Sequence, residues 1–404
     1  MPTARHYLGV TTIGGILYAL GGGSNVGGSH WVGTLETYDA AAGTWATKAS
    51  MPTARGVFGV AAINGILYAV GGANPGILAT VEAYDPATNT WTTKASLPAP
   101  RAGLGVTALN GILYAVGGGD NTGPLAKMEA YDPTTNTWTT KASMSTARFG
   151  LTVSVVNGIL YSVGGFDKVG PVATVEAYVP ATNTWTTMSP MPTARSELTS
   201  GVVNGFLYAV GGFTVTPTFT PLATVEAYDP STNTWTATPS MPTARYDVGA
   251  SVVNGVLYAV GGYNDHDLAT LEAYAPAPPA KANQTITFGP LPNQTFGASP
   301  FTVSATATSG LLVSFSASGP CTVAGSTAFT VTLTGAGTCT ITADQNGNAS
   351  FNAAPSVSRS FTIARPVPKD KNDCKKGGWE AVFRADGSPF KNQGACIKYV
   401  NTGE

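Results

Sequence analysis

From residue 8 to residue 274 the chain repeats one pattern of apolar and polar positions. A mostly apolar run is followed by two turn residues, a second apolar run and a pair of glycines. A shorter alternating segment comes next, then a polar turn and a Thr-rich stretch around a tryptophan. In the second copy Gly56 to Ile63 is the first run, Asn64-Gly65 the turn, and Ile66 to Val70 the run that ends at Gly71-Gly72. Asn-Gly is a strong hairpin signal because both positions tolerate positive φ. It recurs at Asn110-Gly111, Asn157-Gly158, Asn204-Gly205 and Asn254-Gly255, with Gly14-Gly15 in the first copy. The third segment, Ala79 to Tyr84, puts Val81 and Ala83 on one face and Thr80, Glu82 and Tyr84 on the other. Asp85 to Asn89 reads as a turn, and Trp91 lies on a short fourth strand. Each copy predicts an antiparallel four-stranded meander.

Independent registers agree on the period. The diglycines begin at residues 21, 71, 117, 164, 211 and 261, spaced 50, 46, 47, 47 and 50. Arg5, Arg55, Arg101, Arg148, Arg195 and Arg245 keep the same spacings. Glu36, Glu82, Glu129, Glu176, Glu226 and Glu272 follow in step, as do Trp45, Trp91, Trp138, Trp185 and Trp235. A lone meander cannot cover both its faces, whereas copies stacked around an axis can. The pattern resembles the kelch repeat. That resemblance implies a six-bladed β-propeller over residues 1–275, with the glycines allowing close approach between blades and the Tyr and Trp packing between them. The periodic Arg and Glu are expected to form ion pairs or to cap backbone carbonyls. A ring of Arg binding an anion is the alternative.

The sixth copy departs from the pattern. After Leu271 to Tyr274 the chain reads Ala275-Pro276-Ala277-Pro278-Pro279, and the Trp strand expected near 281–285 is absent. At the other end Met1 opens directly on the Met-Pro-Thr-Ala-Arg motif that follows the Trp strand in later copies. One expectation is that the natural protein carries an upstream Trp strand and an export signal before Met1. The rival is that Thr285 to Phe288 docks beside Leu268–Tyr274 as a substitute. An unfinished blade would leave an open edge prone to self-association.

Residues 276–283 read as a Pro/Ala linker, extended and semi-rigid. Across 284–365 short segments alternate with Gly, Ser and Asn turns: Ile286–Phe288, Phe301–Ala307, Val313–Ala317, Phe329–Leu333, Cys339–Ala343 and Ser360–Ile363. They predict a β-sandwich, and the stretch is similar to bacterial immunoglobulin-like modules that serve as spacers. Residues 366–404 are similar to a short Cys-pair tail of secreted bacterial proteins. Of the three pairings open to four Cys, domain order favours Cys321 with Cys339 and Cys374 with Cys396. Metal ligation is the alternative, but there is no Cys-x-x-Cys spacing and no His in these segments. Disulfides point to an oxidising compartment, hence extracellular or cell-surface location.

Composition narrows the function classes. Only 11% of the 404 residues are charged, and 21 basic residues face 22 acidic ones. No basic excess exists to neutralise a phosphate backbone, so nucleic acid is not an expected partner. No run of 18 apolar residues occurs, so no membrane span is expected. Charge divides the chain, with 11 basic and 16 acidic residues before residue 281 and 7 basic and 5 acidic after residue 365.

Candidate chemistry lies where the copies differ. Just past each periodic Arg stand His6-Tyr7, Gly56-Val57, Ala102-Gly103, Phe149-Gly150, Ser196-Glu197 and Tyr246-Asp247. The loop after each diglycine also varies and is longest in copies one and five, which carry His30-Trp31 and Phe219. Aromatic side chains on such loops suit contact with a protein or a carbohydrate. The candidate ligand-binding set is therefore His6, Tyr7, His30, Trp31, Phe149, Ser196, Glu197, Phe219, Tyr246, Asp247 and His266. No cofactor is expected. The propeller resemblance also brings enzyme alternatives. A galactose-oxidase-like copper site would need a Cys that residues 1–280 lack, leaving His6, His30 and His266 as metal candidates, with His6 and His266 approaching on closure. A sugar-isomerising site would draw on Glu197, Asp247 and Arg245 at the channel mouth. The leading expectation is a non-catalytic recognition or adhesion protein. A structural role in an envelope or filament is a further alternative.

Overall fold

The computed structural model describes residues 1–25, 30–215, 218–276, 281–348 and 350–403. The chain divides into two compact units, Met1–Pro278 and Pro279–Glu404. Residues 277–280 of the expected linker lie outside the described residues.

The first unit holds six consecutive antiparallel sheets. In blade 2 the strands are Gly59–Ile63, Ile66–Val70, Val81–Asp85 and Thr90–Lys94, paired in chain order. Asn64 and Gly65 take φ of 50° and 80°, the left-handed pair that a two-residue hairpin needs. Val81, Glu82, Ala83 and Tyr84 are all buried, because neighbouring blades cover both faces of the third strand. The first strands pack side by side around the axis, and Gly9–Ile13 of blade 1 touches both Gly59–Ile63 and Gly249–Val253 of blade 6. The six sheets fit a six-bladed propeller.

The periodic residues hold blade to blade. Arg148 shows the arrangement. Its carbonyl accepts the Gly118 N–H of the preceding blade at 2.9 Å. Its guanidinium, fully buried, donates to the Gly164 carbonyl at 2.6 Å, to Thr174 O at 3.0 Å and to Glu176 at 2.6 Å. Arg5–Glu36, Arg55–Glu82, Arg101–Glu129, Arg195–Glu226 and Arg245–Glu272 repeat the pair. Ion pairing and carbonyl capping thus occur together, and the anion-binding ring of Arg does not arise, because each guanidinium is buried against its own Glu. The diglycine is required by this stitching. Gly117 and Gly118 have φ of 61° and 93°, and a Cβ on Gly117 would lie 2.7 Å from the Arg148 carbonyl.

The aromatic residues fill the same interfaces. Tyr84 and Trp91 pack at 5.2 Å within blade 2, and the Trp91 indole N–H donates to Ala49 O of blade 1 at 2.8 Å. Asn89 accepts from Tyr84 Oη at 2.7 Å and from the Ala49 N–H at 3.0 Å. Tyrosine pairs join neighbouring blades, and Tyr38–Tyr258 joins blade 1 to blade 6 at 6.1 Å.

Among the described residues, the sixth sheet has three strands, Gly249–Val253, Val256–Val260 and Leu271–Tyr274. The substitute strand does not form. Ile286–Phe288 pairs with Ala305–Ala307 in the second unit.

In the second unit three small sheets share one core built on Val331, Cys339, Ile341, Phe361 and Ile363. The single strand expected over 301–307 is two, Phe301–Val303 and Ala305–Ala307, which pair with different partners. Cys321 is bonded to Cys339 and Cys374 to Cys396. The tail also contains a helix that the strand pattern did not predict, Gln393–Thr402. Its signals were the cap residue Asn392, which accepts from the Ala395 N–H, and Gly403 at φ 77°.

Removing Arg148 alone leaves the Glu176 carboxylate buried without its counter-charge. Arg148→Met is expected to cost about 3–5 kcal/mol in urea melts, and Arg148→Met with Glu176→Leu to recover a large part of that loss. Cys339→Ala is expected to cost the second unit ~3 kcal/mol for an 18-residue separation. Calorimetry should show the propeller's own transition unmoved, since residues 1–280 contain no Cys.

Candidate functional site

The residue pairs that vary after each Arg are all held in one place. The first residue of each pair bridges to the residue after the diglycine of its own blade: His6 with Gly23, Gly56 with Ala73, Ala102 with Gly119, Phe149 with Phe166, Ser196 with Phe213 and Tyr246 with Tyr263. The second residues form a closed ring. Tyr7 N–H donates to Asp247 O, Asp247 N–H to Glu197 O, and so on through Gly150, Gly103 and Val57 back to Tyr7 O, at 2.7–3.3 Å. All six residues have φ between 53° and 63°. The left-handed region is uncommon for side-chain-bearing residues, yet Tyr7, Val57, Glu197 and Asp247 occupy it here. The blades impose it, and the outcome is a set of side chains at the mouth of the axial channel.

Half of this face is aromatic. Phe149 stacks on Phe166 at 5.3 Å, Phe166 neighbours Phe213, and Phe213 neighbours Tyr246 at 5.6 Å. Phe219, 53% exposed, packs on both Phe213 and Tyr246. Tyr246 reaches Tyr263, Tyr263 reaches His6, and His6 reaches Tyr7 and Trp31. The rings form an arc through blades 4, 5, 6 and 1. Blades 2 and 3 present Gly56, Val57, Ala102 and Gly103 instead.

At the end of the arc lies a cavity of about 750 Å³, bounded by His6, Tyr7, His30, Trp31, Tyr246 and Asp247 and by Asn25, Asn74 and Tyr263. A smaller space of about 110 Å³ beside it includes Tyr7, Phe149, Glu197 and Asp247. Asp267, 9% exposed, ties the seam between blades 1 and 6, holding His6 Nδ1 at 2.6 Å and Asn25 Nδ2 at 3.3 Å. Ser196 is buried, and its hydroxyl lies 3.5 Å from Gly150 O.

The charged groups are unevenly placed. Tyr7 Oη donates to Glu197 Oε1 at 3.1 Å. Asp247 is 7% exposed, and burial, followed by the neighbouring Glu197 charge, pushes its carboxyl well above the usual range. Burial, with Asp247 and Glu197 adding to it, also drives the Tyr7 phenol up. Tyr246 is pushed up to about 12, chiefly by burial. Two expected residues stand elsewhere. Arg245 is buried against Glu272, away from the mouth. His266 is exposed beside Asp265, and His6 takes Asp267 rather than His266 as its neighbour. Among the described residues no group of three His, Cys, Asp or Glu side chains is placed to share a metal ion. Phe166, Phe213 and Tyr263, directly after the diglycine, and Asn74, one place further on, were missed, although the loop after each diglycine varies.

No helix among the described residues is long and apolar enough to cross a membrane. No curated protein matches the chain. The Kelch motif matches at residues 4–52, 54–98, 100–145, 147–192, 194–242 and 244–277, one match per blade. Propellers of this kind often mediate protein binding and are commonly non-catalytic. With six consecutive motifs over most of its length, the chain belongs to the kelch-repeat family.

Proposed function

We propose that this is an exported, non-catalytic recognition protein of the cell surface or extracellular space. Its propeller binds a macromolecular ligand, protein or carbohydrate, through the loop face. An immunoglobulin-like spacer and a Cys-pair tail follow it. The observation that carries this reading is the aromatic arc. Half-buried rings that converge on one face, with Phe219 exposed, are the kind of surface that anchors a partner. The family favours a protein over a glycan. Disulfides in the second unit favour an oxidising compartment.

Two other readings each have an observation in their favour. The Glu197–Asp247 pair is what acid–base chemistry on a sugar would use. Against it, Arg245, the basic member of that set, is engaged with Glu272. A structural role would use the three-stranded sixth sheet as a pairing edge.

The site also gives up stability. Asp247 holds its proton more tightly when folded than the ordinary aspartate value of about 3.9. The folded state therefore binds more protons from about pH 4 up to the raised value, and stability falls as pH rises through that window.

Trp31→Ala and Phe219→Ala are each expected to weaken capture from a surface-protein and glycan array at least about tenfold, as anchor residues do. Thr139→Ala on the outer strand should leave capture unchanged. Equal capture by all three variants overturns the loop-face reading. Asp247→Asn is expected to raise stability at pH 8 by at least about 1 kcal/mol, one pKa unit's worth, and to flatten the decline above pH 4 in urea melts.

A further inference from the structure

Five of the six sheets end on a fourth strand of Thr and Trp: Thr44–Lys48, Thr90–Lys94, Thr137–Lys141, Thr184–Met188 and Thr234–Ala237. Among the described residues the sheet of blade 6 ends one strand earlier, on Leu271–Tyr274. The outer row of backbone N–H and C=O groups on that strand faces no neighbour, and such a row is a template for pairing with another strand.

The side chains around this edge lack partners that their counterparts have. In the other sheets the third-strand tyrosine stands opposite the fourth-strand tryptophan, with ring centroids 5.1–5.2 Å apart. Tyr274 has no such tryptophan among the described residues, and it is partly exposed where Tyr84, Tyr131, Tyr178 and Tyr228 are buried. The Glu272 side chain is 14% exposed, against 6% or less for its five counterparts, and its Oε2 has no hydrogen-bond partner among the described residues. A third gap lies across the seam in blade 1. The indoles of Trp91, Trp138, Trp185 and Trp235 each donate, at 2.8–3.0 Å, to the carbonyl four residues past the tryptophan of the preceding blade. Blade 6 precedes blade 1 and has no such tryptophan, so Trp45 has no corresponding acceptor among the described residues.

The sequence around the vacant place is altered to match. In blades 2 to 5 an Asn two residues before the tryptophan accepts the N–H four residues past the preceding tryptophan: Asn89 from Ala49, Asn136 from Ala95, Asn183 from Ala142 and Asn233 from Ser189. Four residues past Trp235 stands Pro239, which has no N–H to give, and two before Trp45 stands Gly43, which has no side chain to receive one. A strand between them is held by its backbone ladder and its tryptophan, with no asparagine contact on either side.

We propose that this edge is a docking groove for an extended segment of a different polypeptide, which adds as the fourth strand of blade 6 with a tryptophan opposite Tyr274. Its next two residues, small or Thr, stand opposite Ala273 and Glu272, as in the other sheets. The carbonyl four residues past its tryptophan receives the Trp45 indole N–H. The groove is apolar apart from Ser240 and Glu272, which suits an indole. A second copy of this chain is a poor source, because each of its five Thr-Trp strands is already paired in its own sheet. Its other tryptophans, Trp31 and Trp379, lie on a two-residue strand and a three-residue 3-10 helix. In strand addition the ladder supplies affinity and the alternate side chains supply specificity. None of these residues belongs to the loop-face set, so the groove goes beyond that reading and does not depend on it.

The test is titration calorimetry of the full chain with a capped peptide of its own blade-5 strand, Ser231 to Pro239, which carries the tryptophan and the carbonyl four residues on. The peptide should bind with a Kd below about 100 μM. Trp235→Ala in the peptide should weaken binding at least about 10-fold, and Tyr274→Ala in the chain, with folding checked by its melt, should do the same. Hydrogen exchange at Leu271–Tyr274 should slow when the peptide is added. Phe219→Ala in the chain should leave peptide binding unchanged, which separates the groove from the loop face. Absence of binding at about 1 mM, equal binding of the Trp235→Ala peptide, binding without slowed exchange at Leu271–Tyr274, or a free chain already paired with its own copy through that strand overturns the proposal. Array capture that depends on Trp31 and Phe219 is untouched by any of these outcomes.

Discussion

Each interface between blades depends on one arginine that faces two ways. Its carbonyl accepts a hydrogen bond from the diglycine of the preceding blade, and its side chain grips the glutamate and backbone carbonyls of its own blade, the diglycine carbonyl among them in four of the six. A buried guanidinium is costly to desolvate, and burial alone would pull Arg148 down from its ordinary range. The nearby carboxylate and carbonyls offset that cost only in this geometry. The device is therefore selective as well as cohesive, since a blade shifted along its neighbour leaves a charge buried without its partner. Six thin sheets, none able to bury both its faces alone, are held in a single register this way.

The same device fixes what lies next to it. The residue two places after each Arg cannot choose its conformation. Its N–H must reach the carbonyl of the equivalent residue in the preceding blade, and that requires positive φ. Glycine meets the requirement freely at Gly103 and Gly150. Tyr7, Glu197 and Asp247 meet it under strain, and those three are the polar side chains at the channel mouth. Strained backbone that persists tends to mark sites where the side chain is wanted for something else. The symmetric frame makes six equivalent positions, and the sequence spends three of them on groups that no frame needs.

Much of this was legible in the sequence because the frame is periodic. The Arg, Gly-Gly and Trp registers gave the blades, and Asn-Gly gave the hairpins, since each is a local requirement repeated in every copy. The varying pairs were legible too, as departures from a known period. What escaped was set by distance along the chain. His6 meets Asp267 across 261 residues, and nothing local marks that aspartate over His266 beside it. The strand break between Phe301–Val303 and Ala305–Ala307 was hidden because both halves carry the same alternating pattern.

The uneven decoration of an even ring bears on how such a face discriminates. A ring with the same side chain at every position would present six equal sites and bind a ligand in six orientations. Here blades 2 and 3 contribute Val57 and Gly103, while blades 4 to 1 contribute the rings from Phe149 to Trp31 and the carboxyl groups of Glu197 and Asp247. On the recognition reading proposed above, apolar contact along the arc would supply area and the carboxyl end polarity, so that a ligand would gain fully from both in one orientation only. Discrimination on this face would then come from the asymmetry of the ring, with its aromatic groups on one side and Val57 and Gly103 on the other.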